Sequence, residues 1–233
     1  TRIDGSRSYR IWGRRGRTPW LHIQAQKGWW GDADQRNLGA WDVDQFQLEP
    51  DGRFEIIASP DEQPGNWMKL DRSVPNVCLL VRDIWDQWAG MEGAAIYIEP
   101  LDERPDDTLI LTEEEIATRL RGIAFQTHFS LDTWMRMTEE VVDAVGYNRF
   151  WMPSEDTTKI GGNPLAGYVK CLYDLQPDEA LFIECEIPNV KYWSLQLADY
   201  FYQTIDYRFH PTSINNHQAR LDADGKVRIV LSP

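Results

Sequence analysis

The sequence predicts a mainly β protein of two related jelly-roll or β-sandwich-like halves with an inserted α-helical hairpin. Short segments with period-two hydrophobic alternation recur at roughly ten-residue spacing, which is typical of sandwiches. A segment near residue 51 recurs near residue 224, which indicates a repeated module. Helical periodicity lies between these two regions. We therefore predict a first β-module at 1–110, a helical hairpin at 111–150 and a second β-module at 151–233.

The repeat is clearest in two ten-residue segments, Asp51–Pro60 and Asp224–Pro233, which are identical at five positions. Allowing a one-residue slip, further aligned pairs are Ile11 with Ile183 and Ile23-Gln24 with Leu195-Gln196. The first copy continues into Gly65-Asn66-Trp67 and a further strand, whereas the second ends at Pro233. The second module is therefore expected to lack its last strand.

Alternating apolar residues predict six strands in the first module. They are Tyr9–Trp12, Trp20–Ala25, Gln45–Leu48, Arg53–Ala58, Asn76–Asp83 and Ala94–Glu99. The turn Pro50-Asp51-Gly52 provides a glycine for positive φ between two of them. The basic cluster Arg14–Arg17 is expected to be a solvated hairpin tip, with contact to a phosphate or carboxylate as the alternative.

Two helices are predicted in the central region. Thr112 and Glu115 form a capping box that begins the first. Its apolar stripe comprises Ile116, Leu120, Ile123 and Ala124. Ser130 is expected to cap the second helix, which Gly146 would end.

After a linker at 153–167, strand patterns return. The predicted strands are Tyr168–Leu175, Ala180–Ile187, Tyr192–Phe201, Gln218–Asp222 and Lys226–Leu231. The last two flank Asp224-Gly225, which predicts a closing hairpin.

Composition excludes several function classes. The formal net charge of −13 disfavours binding to nucleic acid or anionic membranes, since both require cationic surface. No apolar run approaches the roughly 18 residues of a membrane span. Three widely spaced cysteines argue against a disulfide framework or zinc site and slightly favour a reducing cytoplasm. His-x-His and His-Glu-x-x-His spacings are missing as well, so we predict no metal and no cofactor.

Four motifs resemble a known family. They are Tyr192–Leu197, Asp206–Arg208, Ser213–Asn215 and the Asp224-Gly225 hairpin, and together they resemble the DUF1214 domain. This bacterial family has no established function and is often found beside DUF1254. The resemblance covers roughly 168–233 and implies a jelly-roll-like β-sandwich with added helices. It assigns no catalytic residue.

Eleven tryptophans and nine tyrosines favour a binding role, because flat aromatic side chains stack on sugars and line apolar pockets. Trp29 and Trp30 are adjacent in a predicted loop, and two neighbouring side chains on a strand would point to opposite faces. With Tyr200, Tyr202 and Asn215 they are the candidate ligand-binding residues. The predicted ligand is a carbohydrate or an apolar small molecule.

An enzyme of lyase or hydrolase type is the first alternative. Tyr207, His210 and His217 would act as acid and base, as proton abstraction requires. Arg208, with Asn215, would neutralise a substrate carboxylate. The competing interpretation is that these aromatic side chains pack the sandwich core.

A structural or assembly subunit is the second alternative. A sandwich that lacks its final strand has an unpaired edge, and such edges pair with other chains. The C-terminal edge would then contact a completing chain or a second copy of the protein.

Overall fold

The structure, a computed structural model, describes residues 2–28, 34–102, 111–152 and 162–232. This part of the chain is mainly β, as predicted, with four sheets and one α-helix. The chain divides into two compact units. Unit 1 is Thr1–Ser130 with Asp156–Ala166, and unit 2 is Leu131–Glu155 with Gly167–Pro233.

Within the described residues, unit 1 contains eight strands in two four-stranded sheets. The strands are β1 Arg2–Ile3, β2 Tyr9–Arg14, β3 Trp20–Lys27, β4 Arg36–Asp42, β5 Arg53–Ser59, β6 Trp67–Lys69, β7 Val77–Ile84 and β8 Ala95–Pro100. One sheet has the order β1-β7-β3-β4 and the other β6-β5-β2-β8. All pairs are antiparallel except β5–β6, which is parallel.

Both sheets contribute alternate side chains to one hydrophobic core in unit 1, as period-two strands do. Leu21, Ile23 and Ala25 of β3 meet Ile11 of β2 and Ile56 of β5 there, and all are buried. Strand β3 is buried on both faces from residue 21 to 26. The core therefore lies between two sheets, as in a sandwich.

The described part of unit 2 contains four strands, β9 Leu181–Glu186, β10 Ser194–Gln196, β11 Ser213–Asn215 and β12 Lys226–Leu231. They form two antiparallel pairs, β9 with β12 and β10 with β11. Gly225 turns the chain into β12 with a φ of 79°, and Gly52 does so before β5 with a φ of 80°. Both positions need glycine because a side chain disfavours this left-handed backbone.

The pairing of β9 with β12 has the register of β2 with β5. Ile11 lies opposite Ile56. The residues aligned with them in the repeat, Ile183 and Ile229, also lie opposite each other. The two ends of the pairings agree as well. At one end Tyr9 lies opposite Ala58, and Leu181 lies opposite Leu231. At the other end Arg14 lies opposite Arg53, and Glu186 lies opposite Lys226.

The pairing of β10 with β11 follows part of the β3–β4 pairing in the same way. Ile23 lies opposite Trp41 in unit 1. Its aligned residue Leu195 lies opposite Ile214 in unit 2. The aligned sequence segments thus have the same strand partners in both units.

The predicted helical hairpin is wrong, because one helix, α1, runs continuously over Glu113–Val145. Its ends are as predicted. Thr112 N–H donates to Glu115 Oε2 at 2.7 Å and Glu115 N–H donates to Thr112 Oγ1 at 3.2 Å. Gly146 follows with a φ of 76°. Ser130 lies inside the helix, since no proline interrupts it and one serine is tolerated there.

Several predicted strands are shorter or missing. The predicted strand Gln45–Leu48 does not form, and its first residue ends a 3-10 helix at Val43–Gln45. The Asn66 side chain accepts from Gln47 N–H and donates to the Gln47 carbonyl. A side chain therefore takes the place of a strand partner. Of Tyr168–Leu175 only Lys170 pairs, in a bridge with Trp151. The predicted strand Tyr192–Phe201 is shorter in the structure, where only β10 forms within it. The predicted strand Gln218–Asp222 has no strand structure.

No helix in the described ranges is long and apolar enough to cross a membrane.

The stripe residues Ile116, Leu120 and Ile123 of α1 are exposed. All three cysteines are free, with Cys78 buried and Cys171 partly buried.

Candidate functional site

A cavity of about 360 Å³ lies between the two sheets of unit 1. Its wall comprises Ile11, Ile23, Leu79, Val81, Asp83, Ala94, Ile96, Tyr97 and Ile98. Strands β3 and β7 supply one side, and β2 with the β8 region supplies the other. The cavity therefore extends the gap in which the hydrophobic core lies.

The cavity is closed at one end and open at the other. Ile11 and Ile23 belong to the buried core, and Leu79 is only 5% exposed. Val81 is 47% exposed and Tyr97 57% exposed. The Val81 side chain marks the mouth, through which a small molecule could enter. The Tyr97 ring instead stacks on Trp12 on the outer face of the sheet, with 5.6 Å between ring centres.

Asp83 is the one ionisable side chain of this wall apart from Tyr97. Its carboxylate accepts hydrogen bonds from the Thr18 hydroxyl and from Ala94 N–H, the latter at 2.8 Å. Arg15 donates to Thr18 at 3.2 Å and to the Asp44 carboxylate at 2.6 Å. The predicted solvated tip is thus wrong for Arg15, which is buried. Contact of the basic cluster with the phosphate or carboxylate of a ligand stays a prediction.

A second polar feature of unit 1 is the row His22, Gln24 and Gln26 on one face of β3, all fully buried. The Gln24 amide is satisfied by Arg82, Asn37 and the carbonyl of Gly162. Neither polar atom of the Gln26 amide has a partner within the described structure. This face is thus buried but incompletely hydrogen-bonded.

The tautomer of His22 follows from its partner. Asn163 Oδ1 accepts from Leu165 N–H at 3.0 Å, so its Nδ2 group faces His22 Nε2, at 2.9 Å. Nε2 is then the acceptor and Nδ1 carries the proton. Burial, followed by the charge of Arg82, lowers the pKa of His22 to about 4. The imidazole is therefore neutral at neutral pH.

Unit 2 has a larger concavity of about 680 Å³. Its floor is the apolar face of β9, β10 and β12, and its wall includes Lys170 and Tyr202. The Lys170 ammonium lies 5.6 Å from the centre of the Tyr202 ring. Burial lowers the pKa of Lys170. Tyr202 has a φ of 61°, a conformation that is uncommon for a residue with a side chain.

The structure separates the predicted ligand-binding residues. Trp29 and Trp30 lie outside the described residues. Tyr202 lies at the unit 2 concavity, whereas Tyr200 stacks edge-on against Phe201 and is not among the residues lining it. Asn215 accepts the N–H of His217 through its side chain, in a turn after β11.

The predicted catalytic residues Tyr207, Arg208, His210 and His217 are all exposed. Arg208 binds the Asp206 carboxylate at 3.0 Å and lies over the Phe209 ring. None of the four lines the unit 1 cavity or the unit 2 concavity described above. Their catalytic role stays a prediction.

Sequence reasoning missed Asp83 and His22. Asp83 follows an apolar run in β7. In the sequence, a carboxylate at this place looks the same as a solvent-exposed charge at the end of a strand. A signal for His22 was available: from Trp20 to Gln26 no charged residue occurs, which indicates a strand buried on both faces.

No protein-family model matches the chain, and no curated protein matches it. The crystal structure of an uncharacterized protein from Burkholderia cenocepacia is similar, with a TM-score of 0.87 and 28% sequence identity. The similarity covers 99% of this chain and 64% of that one. The chain thus spans less than two thirds of the solved protein's length. This similarity shows that the two proteins share a fold.

Proposed function

We propose that the protein binds a small apolar molecule with one hydrogen-bond donor in the cavity of unit 1. The observation that carries this proposal is a 360 Å³ cavity with seven aliphatic side chains, one tyrosine and one carboxylate in its wall. Ligand pockets usually measure about 300–1,000 Å³ and combine apolar walls with few polar groups. The volume is more than twice the roughly 150 Å³ of a cavity that binds benzene.

Asp83 gives the site its chemical preference. A carboxylate offers about four lone-pair sites, and two are used by Thr18 and Ala94. A ligand hydroxyl or ammonium can therefore bind, whereas an acidic ligand would be repelled. A sugar would bury several hydroxyls with one polar side chain to receive them, which is unfavourable. The geometry thus favours an apolar ligand over a carbohydrate.

Replacing Val81 by tryptophan should block this site. Val81 lies at the mouth and is half exposed, so a larger side chain can fill the opening without compressing the core. With 1-naphthol as probe, we expect the Kd to rise at least about tenfold, a loss of about 1.4 kcal/mol. Isothermal titration calorimetry measures the change.

Ala95→Trp is the matched control, because Ala95 is exposed on β8 and does not line the cavity. This variant should bind 1-naphthol as the unmodified protein does. Naphthalene-1-carboxylate and glucose should bind more weakly than 1-naphthol. Unchanged affinity in Val81→Trp, or displacement of 1-naphthol by glucose, would contradict the proposal.

We also infer that the two units are copies of one sandwich-like module, which the matching registers of β2–β5 and β9–β12 support. The resemblance to DUF1214 is a proposal of the same kind. Three of its four motifs coincide with β10, β11 and the turn before β12, whereas Asp206–Arg208 lies between β10 and β11 without strand structure.

A further inference from the structure

The Asp83 carboxylate lies towards the open end of the unit 1 cavity. Leu79, Val81 and Asp83 follow one another on one face of β7, and all three line the cavity. Leu79 is buried and Val81 is half exposed, so this row leads from the closed end to the mouth. Asp83 lies about 7 Å beyond Val81 along the strand. A ligand with its polar group at Asp83 would therefore extend its apolar part towards the buried core.

Asp83 accepts hydrogen bonds from two uncharged groups. The Thr18 hydroxyl donates to Oδ1, and Ala94 N–H donates to Oδ2 at 2.8 Å. Among the described residues, no lysine, arginine or histidine side chain forms an ion pair with Asp83. The two hydrogen bonds stabilise the carboxylate but leave its negative charge without a counter-charge.

Arg15 is the cation of this hydrogen-bond network, and it is bound to a different carboxylate. Its Nε and Nη2 donate to the two oxygens of Asp44 at 2.6 and 3.2 Å. Its Nη1 donates to Thr18 Oγ1 at 3.2 Å, and Thr18 in turn donates to Asp83. These four side chains carry two negative charges and one positive charge. The uncompensated charge belongs to Asp83, which is the member that lines the cavity.

The chain that follows Asp83 supplies no cation either. The loop 85–94 joins β7 of one sheet to β8 of the other. From Asp83 to Ile98 the sequence contains no lysine, arginine or histidine, whereas it contains Asp86 and Glu92. Negative charge of this kind raises the local concentration of cationic ligands and lowers that of anionic ones.

A tryptophan of this loop lies beside Asp83 and contacts a second tryptophan. A Cβ atom at Gly93 would lie 2.5 Å from the Trp85 ring and 3.1 Å from the Asp83 carboxylate, so both side chains pack against this glycine. The centre of the Trp85 ring is 5.4 Å from that of Trp88, which is 84% exposed. Aromatic faces attract cations. The surroundings of Asp83 therefore favour a positively charged group.

We propose that the ligand of the unit 1 cavity is a protonated apolar amine, whose ammonium group pairs with Asp83. This inference rests on the binding proposed above and selects the ammonium over the hydroxyl as the donor. An alcohol would leave the charge of Asp83 uncompensated in partly apolar surroundings, which is unfavourable. An ammonium supplies a counter-charge as well as a hydrogen bond, and the attraction between the two ions adds to the affinity.

Two probes of nearly the same shape test this inference on the unmodified protein. 1-Naphthylmethylamine, which is protonated at pH 7, and 1-naphthylmethanol have the same ring and the same linker. They differ in the charged group alone. Isothermal titration calorimetry at pH 7 should give a Kd for the amine at least about tenfold below that for the alcohol.

Asp83→Asn removes the charge and keeps the size of the side chain. We expect the amine to lose its preference, so that the Kd values of the two probes come within about threefold of each other. Glu99→Gln is the matched control, because Glu99 is exposed on β8 and does not line the cavity. This variant removes the same charge from the protein, and the ratio of the two Kd values should stay unchanged.

Two results would overturn the inference. They are equal affinity of the two probes for the unmodified protein, and a preference for the amine that persists in Asp83→Asn. Circular dichroism checks that Asp83→Asn is folded; if it is not, the comparison of the two probes on the unmodified protein decides.

Failure of the proposed binding itself gives a different pattern. Val81→Trp would then leave the affinity for 1-naphthol unchanged. If Val81→Trp blocks 1-naphthol while the unmodified protein binds the amine no better than the alcohol, the cavity is a binding site and the assignment of an ammonium is wrong.

Discussion

Lowering the pH from 6.5 to 4 should remove on the order of 3 kcal/mol from the free energy of unfolding of unit 1 through His22 alone. The imidazole is fully buried. Its Nε2 accepts from Asn163, and its Nδ1 has no partner among the described residues. Burial and the nearby Arg82 charge lower its pKa from 6.5 to about 4. Each pKa unit corresponds to about 1.4 kcal/mol.

The direction of the effect follows from which state binds the proton. In the unfolded chain His22 is protonated below pH 6.5, whereas in the folded protein it stays neutral down to about pH 4. Between these values the unfolded state binds more protons, so stability falls as the pH falls. The contribution of His22 is complete above pH 6.5 and lost below pH 4.

Urea unfolding of the unmodified protein and of His22→Gln, measured at several pH values from 7.5 to 4, tests this expectation. Glutamine does not titrate, so the difference between the two curves isolates His22 from the carboxylates that titrate in the same range. His217→Gln is the control, because His217 is exposed. If the curves for the unmodified protein and His22→Gln run parallel, the proposed burial of a neutral His22 is wrong.

Local patterns in the sequence predicted most strands of unit 1, because period-two alternation reports burial on one face directly. The environment of His22 was beyond this reasoning. Its partner Asn163 lies 141 positions away, inside the segment 153–167 that was predicted to be a linker. The cavity was out of reach for the same reason, since Val81 and Ile96 face it from strands whose pairing partners no local pattern reveals.

The helix shows how strong and weak signals differ. Thr112 and Gly146 were correctly predicted as its ends, because each provides a specific hydrogen bond or backbone angle. Ser130 was wrongly predicted to be a cap. A serine caps a helix only where the preceding backbone has left the helical conformation, and nothing between Phe125 and Leu131 breaks the helix.

The repeat was the most informative pattern, since it aligned strand partners as well as residues. The alignment relates Ile11 to Ile183 and Ile56 to Ile229, and in the structure Ile11 lies opposite Ile56 as Ile183 lies opposite Ile229. A pairing register is a long-range property that period-two alternation alone does not fix. The sequence alone predicted neither pairing, and the alignment implies only that the two pairings should match.

Alanine at Ile56 should destabilise unit 1 by about 2–5 kcal/mol, and alanine at the aligned Ile229 should cost about 1 kcal/mol or less in unit 2. Ile56 is fully buried, so its truncation leaves a cavity in addition to the lost transfer free energy. Ile229 borders the open concavity. Solvent can fill the space there, so the truncation loses only part of the free energy gained by transferring the side chain from water into the protein.

Urea unfolding followed by hydrogen exchange separates the two units and measures both losses in one protein. Equal losses would mean that Ile229 is as tightly packed as Ile56, and the concavity of unit 2 would then not be open at this position.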